Sequence, residues 1–251
     1  MQKNGQVTVF VIVGIIILLI AGLFFFAKNY YGYGIEPKVY IQGPLNSIKN
    51  EITKCVDEII SPSINLISNQ GGSKNPTKYR LYESKNVKYL CQNIPNEEKC
   101  LNSMDPLQKV ESQLQEELQD KLKKCISKDL LESKRGYTIT NPNLKVNAKI
   151  LQENILFEID YPITIEKDGV TQKLSRINRE IPDTPLGYLY NAAYDIVNSH
   201  SKYGNFEQLI YMLQKKGRII IQVDKPYPDI IYILNKKDSN LKFMFAIEGE
   251  E

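Results

Sequence analysis

The feature that most constrains this chain is an uninterrupted apolar stretch, Val7 to Ala27. It contains no charge, and Thr8 is its only residue with a polar side-chain group. As a helix, these 21 residues would rise about 31 Å, enough for a hydrocarbon core of roughly 30 Å. A cleaved secretory signal would have an apolar region of only about 7–15 residues followed by a small-residue cleavage site. The stretch therefore predicts a retained transmembrane helix, with a buried soluble helix as the alternative.

The residues before and inside this stretch carry a resemblance. Lys3-Asn4-Gly5 is followed by Gln6-Val7-Thr8-Val9-Phe10 and then by the apolar run. This resembles the class III signal peptide of archaeal type IV pilin-like proteins, in which a short basic leader ending in Gly precedes Gln. The resemblance implies leader cleavage between Gly5 and Gln6, with the helix kept. Many members have a Glu four residues after the Gln, where this chain has Phe10.

A second resemblance covers most of the chain but rests on short sequence features of low specificity. They are Lys54-Cys55, Gln70-Gly71-Gly72, Cys125 and the stretch Phe243 to Ala246. Together they are similar to membrane-anchored ectodomains of small-genome (DPANN-type) archaea. This resemblance implies no particular activity.

Composition indicates a globular domain after the apolar stretch. Apolar residues make up 42% of the chain and charged residues 24%, and the net charge is only +3. Because no block of like charge is present, the sequence gives no reason to expect nucleic-acid binding. The roughly 220 remaining residues suffice for one sizeable core or two small ones.

Four cysteines follow the apolar stretch, and their even number favours two disulfides in an oxidising space. Three pairings are open, of which we favour Cys91 with Cys100 and Cys55 with Cys125. The first closes a short loop, and the second would join two helices through their apolar faces. A zinc site is the competing hypothesis, but no CxxC pair occurs and the only histidine lies far along the chain. Four free buried thiols are the other alternative, which would suit a cytoplasmic domain.

The first half of the predicted ectodomain is helical. Residues 28–44 contain several Gly, Pro and Tyr and predict a stalk. Apolar spacing predicts a helix from Ser47 to Asn69, broken or kinked at Pro62 and ended by Gly71-Gly72. A small hairpin is predicted over residues 79–91. Asp105-Pro106 then predicts the start of a helix that runs to about Ser127. Its apolar stripe favours packing on the core, with a coiled-coil contact to a partner as the alternative.

From Leu144 onward the apolar period changes to two, which is typical of strands. Three strands are predicted at 144–151, 155–166 and 170–181, with a bulge or edge position at Pro162. Helices are predicted at 185–200 and 205–214, followed by strands at 218–223, 229–235 and 241–247. The expected fold class is α+β, an N-terminal transmembrane helix followed by an ectodomain of antiparallel sheet packed with amphipathic helices. The expected parts are a leader or cytoplasmic stub (1–6), the transmembrane helix (7–27), the stalk (28–44), a helical disulfide-linked part (45–135) and an antiparallel α+β part (136–251).

Few residues in the sequence indicate a catalytic function. His200 lies near Ser199, Ser201 and Asp195, which permits a Ser-His-Asp hypothesis, but no nucleophile-elbow sequence accompanies it. The favoured interpretation is a residue at a helix C-terminus. Glu158 and Asp160 should face the same side of one strand, as an acid–base pair or as part of a solvated sheet face beside Lys145, Asn147 and Lys149.

The sequence thus predicts a non-enzymatic, single-pass membrane-anchored protein with an extracellular C-terminal domain and a structural or binding role at an archaeal cell surface. The alternative is a subunit of a type IV pilin-like surface filament, and a surface hydrolase is a third option. The expected partners are the lipid bilayer and either further copies of the chain or a surface protein. Neither a cofactor nor a metal is expected.

Overall fold

The computed structural model describes residues 4–30, 37–97, 99–126, 138–140, 143–167, 169–174 and 176–249. The helices within these ranges are α1 (Asn4–Tyr30), α2 (Pro37–Asn69), α3 (Leu107–Cys125), α4 (Leu186–Tyr203) and α5 (Gln208–Gln214). The strands are β1 (Tyr79–Tyr82), β2 (Lys85–Asn93), β3 (Cys100–Asn102), β4 (Thr138–Thr140), β5 (Lys145–Ile150), β6 (Ile155–Asp160), β7 (Thr164–Lys167), β8 (Val170–Lys173), β9 (Ile177–Ile181), β10 (Ile219–Asp224), β11 (Ile230–Lys236) and β12 (Lys242–Ile247). The α+β composition agrees with the prediction.

The predicted transmembrane helix is corrected by the structure. Within the described ranges, no helix is both long enough and apolar enough to cross a membrane. The assignment of a transmembrane helix to Val7–Ala27 is therefore not upheld. The predicted cleavage between Gly5 and Gln6 stays a prediction.

The observed helix α2 differs from two predictions, the stalk over residues 28–44 and the helix break at Pro62. It begins at Pro37, so residues 37–44 are helical, while residues 31–36 lie outside the described ranges. It also continues through Pro62, although a proline inside a helix costs about 3 kcal/mol. Ile60 and Ile64, on either side of this proline, are both buried in the core, and their packing offsets that cost. The predicted end is confirmed, because the Gly72 amide bonds the Ile67 carbonyl at 2.9 Å and both glycines have positive φ.

Helix α3 follows its predicted course and packs on the core. Its buried stripe includes Leu114, Leu118 and Leu122, and it lies against α2 and β5. The apolar stripe of α3 thus packs inside the domain, which is the alternative that we favoured over a coiled-coil contact with a partner. The predicted capping by Asp105 is wrong, since Pro106 is the N-cap residue and no side chain caps it. Asp105 forms ion pairs with Lys88 and Lys109 instead.

Both favoured disulfides are present. Cys55 on α2 is bonded to Cys125 at the end of α3, and Cys91 on β2 is bonded to Cys100 on β3. The pairing through two apolar helix faces is therefore confirmed. Because all four thiols are used, none is left for the zinc site considered above.

The middle of the chain forms two three-stranded antiparallel sheets, with strand orders β5-β6-β9 and β4-β7-β8. The strand predicted at 155–166 is interrupted at residues 161–163, between β6 and β7, where Pro162 had predicted a bulge or an edge position. Strand β4 was not predicted.

The six-stranded sheet is mixed, which corrects the prediction of purely antiparallel strands. Its order is β1-β2-β12-β11-β10, with β3 beside β2, and β2 pairs with β12 in parallel. Hairpins produce the antiparallel pairs, whereas the β2–β12 pair joins distant parts of the chain. This pair places β2 beside β12, so the sheet contains strands from both sides of the boundary expected near residue 135, between the helical part and the antiparallel part.

This sheet is strongly curled. Its edge strands β1 and β10 are four steps apart, about 19 Å in a flat sheet. Nevertheless, the Tyr82 hydroxyl on β1 donates a hydrogen bond to Asp224 on β10. This bond, followed by burial, raises the pKa of Tyr82 to about 12. The concave side encloses a small apolar cluster: Val87, Ile231, Ile233, Met244 and Ala246. The convex side packs on α4 and belongs to the main core.

Candidate binding site on the polar face of the three-stranded sheet

Alternation along β5, β6 and β9 separates a buried face from a polar one. The burial pattern of β5 is strictly alternating, with Val146, Ala148 and Ile150 buried. The residues between them point to solvent, together with their cross-strand neighbours on β6 and β9. We call this surface the polar face: Asn147, Lys149, Leu156, Glu158, Asn178 and Glu180.

Strand register arranges the polar face in two rows. Asn147, Glu158 and Asn178 are aligned across the three strands, and Lys149, Leu156 and Glu180 form the next row. A cavity of about 740 Å³ opens over this surface. Its lining comprises the polar face together with Ala148, Phe157 and Arg179. The arrangement offers amide and charged groups around a half-exposed leucine, which suits binding to a polar surface with an apolar centre.

Helix α3 closes one edge of this sheet. The Glu111 carboxylate accepts a hydrogen bond from the Ile150 amide at 2.9 Å, and Gln115 donates to the Ala148 carbonyl at 3.2 Å. Both backbone groups point away from β6, so side chains of α3 take the place of a further strand. Capping of this kind protects an edge strand against unwanted pairing. It also fixes the position of β5 beneath the cavity.

Glu158 and Asp160 lie on the same side of β6, as predicted, and oppose Asn147 and Lys145 in the register. Both carboxylates contact one guanidinium, that of Arg176. It donates a hydrogen bond to Glu158, and its Nε lies 3.9 Å from Asp160 Oδ2. A glycosidase requires free space for substrate or water between its two carboxylates. Here the guanidinium bridges them, which favours an ion-pair network over an acid–base pair.

His200 is brought together with an aromatic cluster and not with a nucleophile. It is only 5% exposed, and its Nε2 lies 2.8 Å from the Tyr232 hydroxyl. Burial lowers the pKa of His200, so the ring is held neutral. Burial also raises the pKa of Tyr232. Histidine and tyrosine thus form one buried hydrogen-bonded pair.

The other members of the hypothetical triad are engaged elsewhere. The Ser199 hydroxyl donates to the Asn205 carbonyl at 2.7 Å, and Asp195 accepts from the Tyr211 hydroxyl at 2.7 Å. Within the described part of the chain, these contacts do not assemble a Ser-His-Asp triad around His200. The same part of the chain brings no three potential metal-ligating His, Cys, Asp or Glu side chains together.

Asp229 is a buried polar residue that the sequence analysis missed. It is 3% exposed and accepts hydrogen bonds from the Tyr89 hydroxyl at 2.8 Å and the Gly249 amide at 3.1 Å. Arg80 Nη1 lies 3.4 Å from the same carboxylate. Burial and the bond to Asp229 raise the pKa of Tyr89. Asp229 therefore ties β1, β2 and the C-terminal segment together; the two prolines that precede it, Pro226 and Pro228, were the local signal in the sequence.

Comparisons with protein-family models, with curated proteins and with solved structures found no match to this chain.

Proposed function

We propose that this chain is a non-enzymatic protein with a structural or binding role at an archaeal cell surface, on the outer side. The observation that carries the proposal is the use of all four cysteines in two disulfides. Disulfides form and persist in oxidising spaces outside the cytoplasm and are rare within it. They stabilise a domain whose main core draws side chains from the three described sheets and from the four helices that follow α1.

The polar face is the surface that supports a binding role. Its charged groups are of both signs, and Arg176 already engages Glu158. Lys149 likewise approaches the buried Glu111, at 3.4 Å. These contacts already restrict the side chains, so binding would cost little further side-chain conformational entropy. The half-exposed Leu156 at the centre resembles the apolar middle of a protein interface with a polar rim. We therefore expect another surface protein as the partner.

Labelling of intact cells tests the location. A membrane-impermeant amine reagent should modify exposed lysines such as Lys54 before the cells are lysed. Modification only after lysis would contradict the proposal.

Site-specific photo-crosslinking tests the binding face. A photoreactive residue at position 156 should give a discrete crosslinked product in native cells, whereas one at the exposed Thr171, on the neighbouring β4-β7-β8 sheet, should not. Equal yields at both positions would exclude a specific role for the polar face. A hydrolytic activity of the purified chain that is lost in Glu158→Gln or His200→Gln would instead revive the enzyme hypothesis.

A pilin-like filament subunit is the second candidate, and α1 is the observation that favours it. The described side chains of α1, from Val11 to Phe26, are exposed on every side, and almost all are apolar. A helix that is apolar all round is normally buried, and packing between copies of α1 would bury it. Negative-stain images of purified native material distinguish the two candidates: ordered fibres support the filament, and dispersed monomers exclude it.

A further inference from the structure

Helix α5 presents three large aliphatic side chains to solvent. Leu209, Ile210 and Leu213 are 71%, 54% and 77% exposed. Their spacing of i, i+1 and i+4 places them on one side of the helix, within about 100° of arc. We call this surface the α5 patch. Single exposed aliphatic residues are ordinary, but a contiguous group on a soluble domain usually marks a contact site.

The opposite side of α5 holds the helix firmly on the domain. Gln208 donates a hydrogen bond to the Ile221 carbonyl at 2.6 Å. Tyr211 bonds Asp195 at 2.7 Å, and its ring packs edge-on against Phe206 at 5.3 Å between centroids. Because these contacts fix the orientation, the α5 patch cannot turn inward. Its side chains protrude into solvent from a helix held in a fixed orientation.

Basic residues follow the α5 patch directly. Lys216 and Arg218 lie in the turn after α5 and are exposed, and Lys202 is exposed near the end of α4. Across the described ranges, none of the three forms an ion pair. Glu207, before the first turn of α5, is the acidic residue nearest in sequence. Lys215 is already engaged, with Nζ 3.7 Å from Asp195 and 4.9 Å from the Tyr211 ring centroid.

We propose that the α5 patch rests on a lipid surface that carries anionic headgroups. Protruding aliphatic side chains beside unpaired cations are typical of interfacial helices, whose apolar side enters the headgroup and acyl boundary by about 5–10 Å. Side chains as exposed as Leu209 and Leu213 need no matching pocket in a fluid bilayer, whereas a protein partner would have to supply one. The unpaired cations select an anionic surface. The contact is peripheral and is independent of the role proposed for the polar face.

The absence of tryptophan from the chain allows a direct test. In the full-length chain, Leu213→Trp introduces a single fluorescent reporter at an exposed position. With vesicles of phosphatidylcholine and phosphatidylglycerol, its emission should shift to the blue and be quenched by lipids brominated in the acyl chain. Vesicles of phosphatidylcholine alone should give a much smaller shift. Adding Lys216→Gln and Arg218→Gln to this variant should lower its affinity for the anionic vesicles about thirtyfold at low salt, since each charge contributes about fivefold.

A matched control is Leu101→Trp, another exposed leucine, on β3, which should not respond. Equal shifts of both reporters would mean that the chain reaches the vesicle by another surface, and would overturn the proposal. A Leu213→Trp shift caused by rising protein concentration without vesicles would assign the patch to a second copy. A shift with soluble polyglutamate but not with vesicles would assign it to an acidic protein. Either of these outcomes, or no shift at all, also overturns the lipid contact.

Discussion

The disulfide between Cys55 and Cys125 should be a major source of stability. Its partners are 70 residues apart in sequence. Loop-closure entropy for a loop of this length predicts that removing the bond costs about 4.4 kcal/mol at 25 °C. The disulfide Cys91–Cys100 lies inside this loop and shortens it by about 9 residues, which lowers the figure only to about 4.3 kcal/mol. A domain with a typical stability of 5–15 kcal/mol would lose a large share of it.

The assay is denaturant unfolding of Cys55→Ala/Cys125→Ala beside the unchanged chain. The inner disulfide provides the comparison, since its separation of 9 residues predicts about 2.6 kcal/mol from loop closure. Its sulfurs are also buried, so Cys91→Ala/Cys100→Ala loses packing as well. Cys55 and Cys125 are partly exposed, so mild reductant should open their bond first and reproduce the double variant. A loss below about 1.5 kcal/mol on removing Cys55–Cys125 would refute the loop-closure reasoning.

Three further predictions concern the buried polar groups. Asp229→Ala should cost about 1–3 kcal/mol in denaturant unfolding, because the Tyr89 hydroxyl and the Gly249 amide then lose their buried acceptor; a loss below about 0.5 kcal/mol would contradict this role. Glu111→Ala should speed hydrogen exchange of the Ile150 amide at least tenfold, and unchanged protection would exclude the proposed edge capping. Burial lowers the pKa of His200, so its stabilising contribution is complete above the unfolded value of about 6.5 and declines as pH falls below it. Unfolding measured from pH 8 to 5 should show this decline, and His200→Gln should remove it.

Local patterns predicted most elements because the residues that determine them are neighbours in sequence. The alternation around Phe157 and the turn signal in the sequence after Lys167 predicted the antiparallel pairing of β6 with β9 and of β7 with β8. The cysteines could be paired because Cys55 and Cys125 lie on the apolar faces of two predicted helices. The polar face followed from the same alternation, including the shared side of Glu158 and Asp160.

What the sequence did not predict depends on distant contacts. The parallel pairing of β2 with β12 joins Tyr89 to Ala246, and no local pattern encodes it. The continuation of α2 through Pro62 depends on tertiary packing of Ile60 and Ile64, which outweighs a strong local signal. Arg176 was not expected to bridge the two carboxylates, because it reaches them from the position just before β9, the strand beside β6.

The proposed location requires that the chain folds and functions in an oxidising space outside the cytoplasm. The intact mass of the native protein, alkylated with and without prior reduction, is the decisive measurement. We expect no alkylation before reduction and four alkylated cysteines after it. We also expect a chain that starts at Gln6, as the resemblance to pilin-like leaders implies. A native chain whose four thiols are alkylated without reductant would contradict both the disulfides and the proposed location.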